Sequence, residues 1–205
     1  MMNIDRKLIE SVKGFLDHDE GLVLYDCAKK AGERGPCLEI GSYCGKSALY
    51  LGAGCRASGS ILFSVDHHRG SEEQQPGEEY FDPETYDIES GGVNTFPLFR
   101  AAIERAGLED TVVPIVCASK VAARLWATPL SLVFIDGGHS EKAAVDDYEA
   151  WSGHLMPGGF LLIHDIFKNP EDGGQAPYLV YRRALASGLF EECPMTRTLG
   201  VLRRI

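Results

Sequence analysis

A chain of 205 residues, 44% hydrophobic and 24% charged, is long enough to bury a sizeable core and has an ordinary globular composition. Thirty acidic against twenty basic side chains give a formal net charge of -10, which argues against a nucleic-acid partner, because a phosphate backbone calls for a basic surface. Six cysteines without a C-x-x-C pair, no apolar run near 18 residues, and charges every few positions over residues 1–19 predict a reduced, cytoplasmic chain with no leader and no membrane span.

In chain order, apolar residues at Leu8, Ile9, Val12, Phe15 and Leu16 have helical spacing and predict a helix over 6–16. A second helix is expected over 20–31, with Leu22, Leu24, Tyr25 and Ala28 inward and Gly32 and Gly35-Pro36 as the stop. Cys37 to Ile40 reads as a strand that runs into Gly41-Ser42-Tyr43-Cys44-Gly45 and then a helix from Lys46 to 53. A second strand over 61–65 ends in Asp66, 21 residues after Gly45. Strand, glycine turn, helix, strand and acid is the layout of a nucleotide-binding βαβ unit. Its glycines allow close backbone approach, and its acid can take ribose hydroxyls. The spacing is G-x-x-x-G, not G-x-G-x-x-G, so a pyrophosphate-binding dinucleotide site fits poorly.

Residues 69–97 interrupt this rhythm with many acids, glycines and prolines and with Tyr80, Phe81 and Tyr86. So long a loop within a domain reads as a functional lid or as a disordered insertion. Alternation then resumes. Helices are expected over 96–106, 119–126, 141–154 and 177–187, and strands over 111–116, 130–135 and 160–163. The tail over 189–193 and 198–203 reads as two more strands. Val145, Tyr148 and Trp151 lie on one helical face, and Trp126 and Trp151 read as core. No domain boundary interrupts residues 1–205. Alternating strands and helices define an α/β, Rossmann-like, doubly wound sheet with helices on both faces, whose ligands bind beyond the carboxyl ends of the strands.

At four places the chain resembles the class I S-adenosylmethionine-dependent methyltransferases: Leu38-Glu39-Ile40-Gly41-Ser42-Tyr43-Cys44-Gly45-Lys46-Ser47, Val65-Asp66, Phe134-Ile135-Asp136-Gly137-Gly138-His139, and Leu155-Met156-Pro157-Gly158-Gly159-Phe160. The Ile-Asp-x-x-His loop and the small size are similar to the branch that O-methylates small hydroxylated molecules. The resemblance implies a seven-stranded, mostly parallel sheet with an antiparallel last strand. It implies S-adenosylmethionine as methyl donor, a small-molecule acceptor and, as an open matter, a homodimer. An S-adenosylmethionine-binding sensor or scaffold without transferase activity is the competing reading.

The resemblance also assigns residues. Glu39, Gly41, Ser42, Tyr43, Gly45 and Ser47 belong to the cofactor turn, with Glu39 toward the amino-acid end and Tyr43 open between cofactor and core. Asp66 takes the ribose 2′- and 3′-hydroxyls, and His67 is a wall near adenine or acceptor. Ser119 contacts the adenine or caps a helix. Asp136 is shared between cofactor and chemistry. With His164 and Asp165 it forms either a divalent-metal site for Mg²⁺ or Mn²⁺ or a metal-free hydrogen-bonding cluster; imidazole departs from the hard oxygen set that Mg²⁺ prefers. His139, three residues after Asp136, is the candidate general base, because an unperturbed imidazole titrates at about 6.5.

Overall fold

The computed structural model describes residues 4–138 and 140–205. Two helices open the chain, α1 (Arg6–Ser11) and α2 (His18–Gly32). Then come β1 (Cys37–Ile40), α3 (Lys46–Ser58) and β2 (Leu62–Val65). The insertion holds two single-turn 3-10 helices and a small antiparallel ribbon, β3 (Tyr86–Asp87) with β4 (Gly92–Val93). The rest is α4 (Phe96–Arg105), β5 (Val112–Ile115), α5 (Ser119–Ala123), β6 (Leu130–Ile135), α6 (Glu141–Trp151), β7 (Leu155–Ile163), α7 (Ala176–Ala186), β8 (Phe190–Glu192) and β9 (Gly200–Arg204). Among the described residues no helix is long and apolar enough to cross a membrane.

Seven strands form one sheet in the order β5-β2-β1-β6-β7-β9-β8. The pairs from β5 to β7 are parallel, and β9 runs antiparallel to both β7 and β8. Both faces are covered, so strand residues alternate between two cores. Cys37, Leu132, Phe134, Phe160 and Leu162 pack with the face that holds α2, α3 and α4. Leu38, Val133, Ile135, Leu161 and Ile163 pack with the face that holds α6 and α7. This double burial is why β1 and β6 are mostly apolar, each with one buried polar residue, Glu39 and Ser131.

Several expectations need correction. The first helix stops at Ser11, not 16, because Val12 is extended, Gly14 lies at φ +148° and Asp17 already caps α2. Residues 12–17 are therefore a strap. Leu22 faces solvent, and the buried face of α2 instead carries Glu20, Leu24, Tyr25 and Ala28. The strand expected at 160–163 begins at Leu155. The L-x-P-G-G turn lies within β7 as an irregularity in its pairing with β6, with Gly158 at φ +74°. The insertion has hydrogen-bonded turns of its own. Trp151 is buried as expected, and Trp126 packs edge-on against it and against Phe63.

Candidate active site

From β1 the chain steps outward to β2 and β5, then returns to place β6 on the other side of β1. That reversal is the switch point at which an open α/β sheet leaves a crevice. A cavity of about 800 Å³ lies there, within the size range of small-molecule and cofactor sites. Its walls include Gly41, Ser42, Tyr43, Ser47, Asp66, His67, Ser119, Asp136, His164 and Asp165. Most of the residues singled out from sequence thus meet in one place. Glu39 and Gly45 are not among the lining residues: Glu39 lies within β1 before the turn, and Gly45 ends the turn where α3 begins.

The turn after β1 is held by Asp66. Its Oδ2 accepts from the backbone N–H groups of Ser42 and Tyr43, each at 2.9 Å, and its Oδ1 accepts from the His68 N–H at 2.7 Å. Gly41 sits at φ +83°, and a Cβ there would lie 2.1 Å from the Asp136 carbonyl oxygen. Gly45, at φ +96°, opens α3 in the left-handed region. Tyr43, His68 and Asp165 are left-handed without being glycine. Such backbone costs about 1–3 kcal/mol per residue and clusters at functional sites. His68 is buried, its Nδ1 pairs with Thr95 Oγ1 at 2.8 Å, and its Nε2 has no hydrogen-bond partner.

Glu39 is fully buried, and its two oxygens accept from Ser47 Oγ at 2.9 Å and Ser64 Oγ at 2.6 Å. Burial pushes its carboxyl up to about 8. The two hydroxyls oppose that rise, and Asp136 and Asp66 add to it. The sign follows. A carboxyl that holds its proton more tightly when folded contributes stability below about pH 4.5 that is lost as pH rises toward 8. Glu39→Gln is therefore expected to unfold with a thermal midpoint that falls less than the wild type's between pH 5 and 8. The difference should reach the order of 3 kcal/mol, and parallel pH profiles of the two midpoints would refute it.

The floor comes from neighbouring strand ends. Asp136 follows β6, and His164 and Asp165 follow β7. His164 Nδ1 lies 3.2 Å from Asp136 Oδ1 and 3.4 Å from Asp165 Oδ1, while its Nε2 lies 3.0 Å from Glu20 Oε2. Burial disfavours the charged ring, but the carboxylates of Asp136, Asp165 and Glu20 outweigh it and raise the His164 pKa. Burial likewise works against the Glu20 carboxylate, yet His164 and Thr198 bring it down to about 2. Asp136, His164 and Asp165 each offer one ligand atom within 4.8 Å of the others. His139, the candidate base, lies outside the described residues.

Sequence reasoning missed four contributors. Phe15 and Lys13, on the strap, line the cavity opposite Tyr80 of the insertion. Lys13 pairs with Asp82 and, at 2.6 Å, with Glu84, and Phe15 meets Tyr43 and Tyr80 at ring-centroid distances of 6.2 and 5.7 Å. Asp147 of α6 also lines the cavity beside Ser119; burial pushes its carboxyl up to about 6 against a hydrogen bond from Ser119. Glu20 is the fourth. Both acids sit on the buried face of an amphipathic helix, and an acid in that register is the signal that points to a partner. Ser119 is the first residue of α5, not its cap, and its hydroxyl accepts from Trp151 Nε1 at 2.8 Å. His67 is exposed at the rim, with its Nδ1 accepting from the Arg69 N–H.

This sheet order and turn accord with comparison to known proteins. The chain belongs to the methyltransferase-domain family, whose model matches residues 38–166, more than half its length, and with it to the class I S-adenosylmethionine-dependent methyltransferases. Its fold is similar to that of an O-methyltransferase from Bacillus cereus solved with S-adenosylhomocysteine (TM-score 0.68, 15% identity, covering 100% of this chain and 93% of that one). It is similar as well to cofactor-bound Rv0187 from MTB (0.68, 14% identity, 97% and 86%). A third is the O-methyltransferase TomG from Streptomyces achromogenes, involved in tomaymycin synthesis and solved with S-adenosylmethionine (0.62, 14% identity, 99% and 90%). At these identities the likeness speaks to the fold.

Proposed function

We propose that this protein transfers a methyl group from S-adenosylmethionine to a hydroxyl oxygen of a small molecule. The observation that carries the reading is the cavity at the switch point, with a glycine turn on one side and a carboxylate–imidazole floor on the other. Its volume accommodates a nucleoside and an acceptor together. The Gly41 cradle, where any Cβ would strike backbone, fits a ligand that lies close against main chain. The Bacillus and Streptomyces neighbours, both O-methyltransferases, favour oxygen as the accepting atom.

When bound, the donor supplies an activated methyl group on a sulfonium, which leaves a thioether once the methyl has gone. The chain's task is to bind, align and deprotonate. Asp66 and the turn it holds orient the ribose, and Ser119 with Asp147 borders the adenine. His139 accepts the hydroxyl proton as the acceptor oxygen bonds to the methyl carbon. Phe15, Tyr80 and Phe167 cover the acceptor.

A divalent cation is the second element of this reading. The set of Asp136, His164 and Asp165 fits one, because the second ring nitrogen of His164 is backed by a carboxylate, as is usual for a metal-bound imidazole. One imidazole among oxygens suits Mn²⁺ better than Mg²⁺. Held there, the ion would supply Lewis-acid polarisation of the acceptor hydroxyl. The test is methyl transfer from labelled S-adenosylmethionine to a panel of phenols and hydroxylated small molecules. Transfer is expected, chelation should lower it, and Mn²⁺ or Mg²⁺ should restore it. Tight S-adenosylhomocysteine binding with no transfer to any acceptor would favour a sensor or scaffold. Full activity in excess EDTA, with no metal by elemental analysis, would remove the ion.

The insertion and the strap act as the lid. Lys13 joins the strap to Asp82 and Glu84 of the insertion, and Phe15 packs between Tyr43 of the turn and Tyr80, edge-on to the latter. Limited proteolysis should cut residues 69–97 quickly in the free protein and slowly with cofactor plus acceptor. Equal cutting in both states would leave a surface insertion with no closing role.

A further inference from the structure

The N-terminal helix α2 reaches the floor of the site through one side chain. Glu20, 3% exposed at the side chain, accepts at Oε2 from His164 Nε2–H at 3.0 Å and from the Asp17 N–H at 3.2 Å. Its Oε1 accepts from the Thr198 N–H at 2.9 Å and from Thr198 Oγ1 at 2.8 Å. Four donors thus converge on a carboxylate that offers about four lone-pair sites. A carboxylate so filled can only accept, so the ring nitrogen facing it must donate. The other nitrogen, Nδ1, is then the one turned toward Asp136 and Asp165.

We infer that Glu20 is the positioning residue for His164: it fixes the imidazole ring with Nε2–H held on helix α2 and Nδ1 presented to the gap between Asp136 and Asp165. This rests on the reading of that gap as the floor of the methyl-transfer site. The anchoring is built from three parts of the chain. α2 is seated on α3 where Gly21 meets the Tyr50 ring so closely that a Cβ would lie 2.3 Å from it. The tail contributes Thr198, whose carbonyl accepts from the Ile166 N–H just past the floor. Arg197, left-handed at φ +50°, pairs with Asp17 and Asp19 at the start of α2. The backbone strain at Arg197 is thus spent where the tail grips the helix that carries Glu20.

A merely structural role is the alternative, since Glu20 also closes the capping box of α2. Glu20→Gln separates the two. Glutamine keeps the size, but its amide has one accepting oxygen. With that oxygen on Thr198, the NH₂ group faces His164 Nε2 and requires it to accept. In ligand-free protein, long-range ¹⁵N–¹H correlation should show a proton on His164 Nε2 in the wild type and none there in Glu20→Gln. The same variant should bind S-adenosylhomocysteine within threefold of the wild type and lose about 10- to 100-fold in kcat. Thr198→Val, which removes a donor to Glu20 but leaves the ring contact, should keep the Nε2 proton and near wild-type kcat. If the Gln variant does not fold, Glu20→Asp, which retracts the carboxylate from the ring but keeps its charge, should lower kcat while S-adenosylhomocysteine affinity stays within threefold of the wild type, and wild-type kcat in it would overturn the inference. A Gln variant with the Nε2 proton in place and wild-type kcat would overturn the inference, as would a Thr198→Val variant that loses as much as Glu20→Gln. If the proton moves as expected while the wild type itself transfers no methyl group, the positioning stands and the proposed function fails.

Discussion

Asp66→Ala should weaken S-adenosylhomocysteine binding at least a hundredfold in calorimetry while leaving a folded protein. Two effects add. The first is direct loss of the acceptor for ribose, and hydrogen bonds to a charged group contribute about 1.5–3 kcal/mol each. The second is internal. The same carboxylate holds the N–H groups of Ser42, Tyr43 and His68, so its removal frees the turn before any ligand arrives. With three backbone donors placed and the Ser42 hydroxyl 3.5 Å from Oδ2, ribose has to displace that long contact to reach the carboxylate. Asp66→Asn tests the split, because one amide oxygen can keep either the turn or the ribose contact. With that oxygen kept on the Ser42 and Tyr43 N–H groups, a loss in Asn as large as in Ala would assign most of the effect to the ribose contact. Unchanged affinity in a folded Ala variant would sink the assignment of this pocket to the cofactor.

His139→Ala carries the largest expected kinetic effect, a fall in kcat of about 10²–10⁴ with cofactor affinity nearly intact. The expectation rests on sequence, since His139 falls three residues after Asp136 and lies outside the described residues. The loop that leads to it is fixed at its near end, where the Asp136 N–H donates to the Ile40 carbonyl at 2.9 Å. The acidic limb of the wild type's kcat profile should be absent from the variant. Wild-type kcat across pH 6–9 in the variant would place the base elsewhere, or show that the acceptor needs none.

Strands were the most legible elements. β1 and β6 have the bounds expected of them, because a strand buried on both faces is a mostly apolar run with sharp ends. Gly41, Asp66, Asp136, His164 and Asp165 could be grouped in advance, since each follows a parallel strand and parallel strands end on the same side. Periodicity misled at the strap, where Phe15 and Leu16 keep helical spacing but Gly14 and the Asp17 cap end the helix first. Glu20 and Asp147 escaped for another reason. Each is recognisable as an acid in a buried register, but its partner is set by tertiary structure. His164 lies 144 positions from Glu20, and Thr198 lies 178 away. No local pattern carries that pairing.

The two glycines of the turn after β1 are not equivalent, and the difference bears on how distant relatives of this chain should be recognised. At Gly45 the nearest obstacle to a Cβ is the Phe99 ring edge at 3.2 Å, a side chain that can shift. At Gly41 the obstacles are the carbonyl of Asp136 and the Cα of Gly137, at 2.1 and 2.8 Å, and a main chain cannot yield without moving β6. A sequence that loses the second glycine can clear the space by trimming a neighbour, but must hold a side chain at φ +96° at a cost in local backbone strain. A sequence that loses the first must have pulled the tips of β1 and β6 apart, and with them the two halves of the crevice. The first glycine therefore marks the spacing of two strands, and its absence in an otherwise matching chain signals a differently shaped pocket.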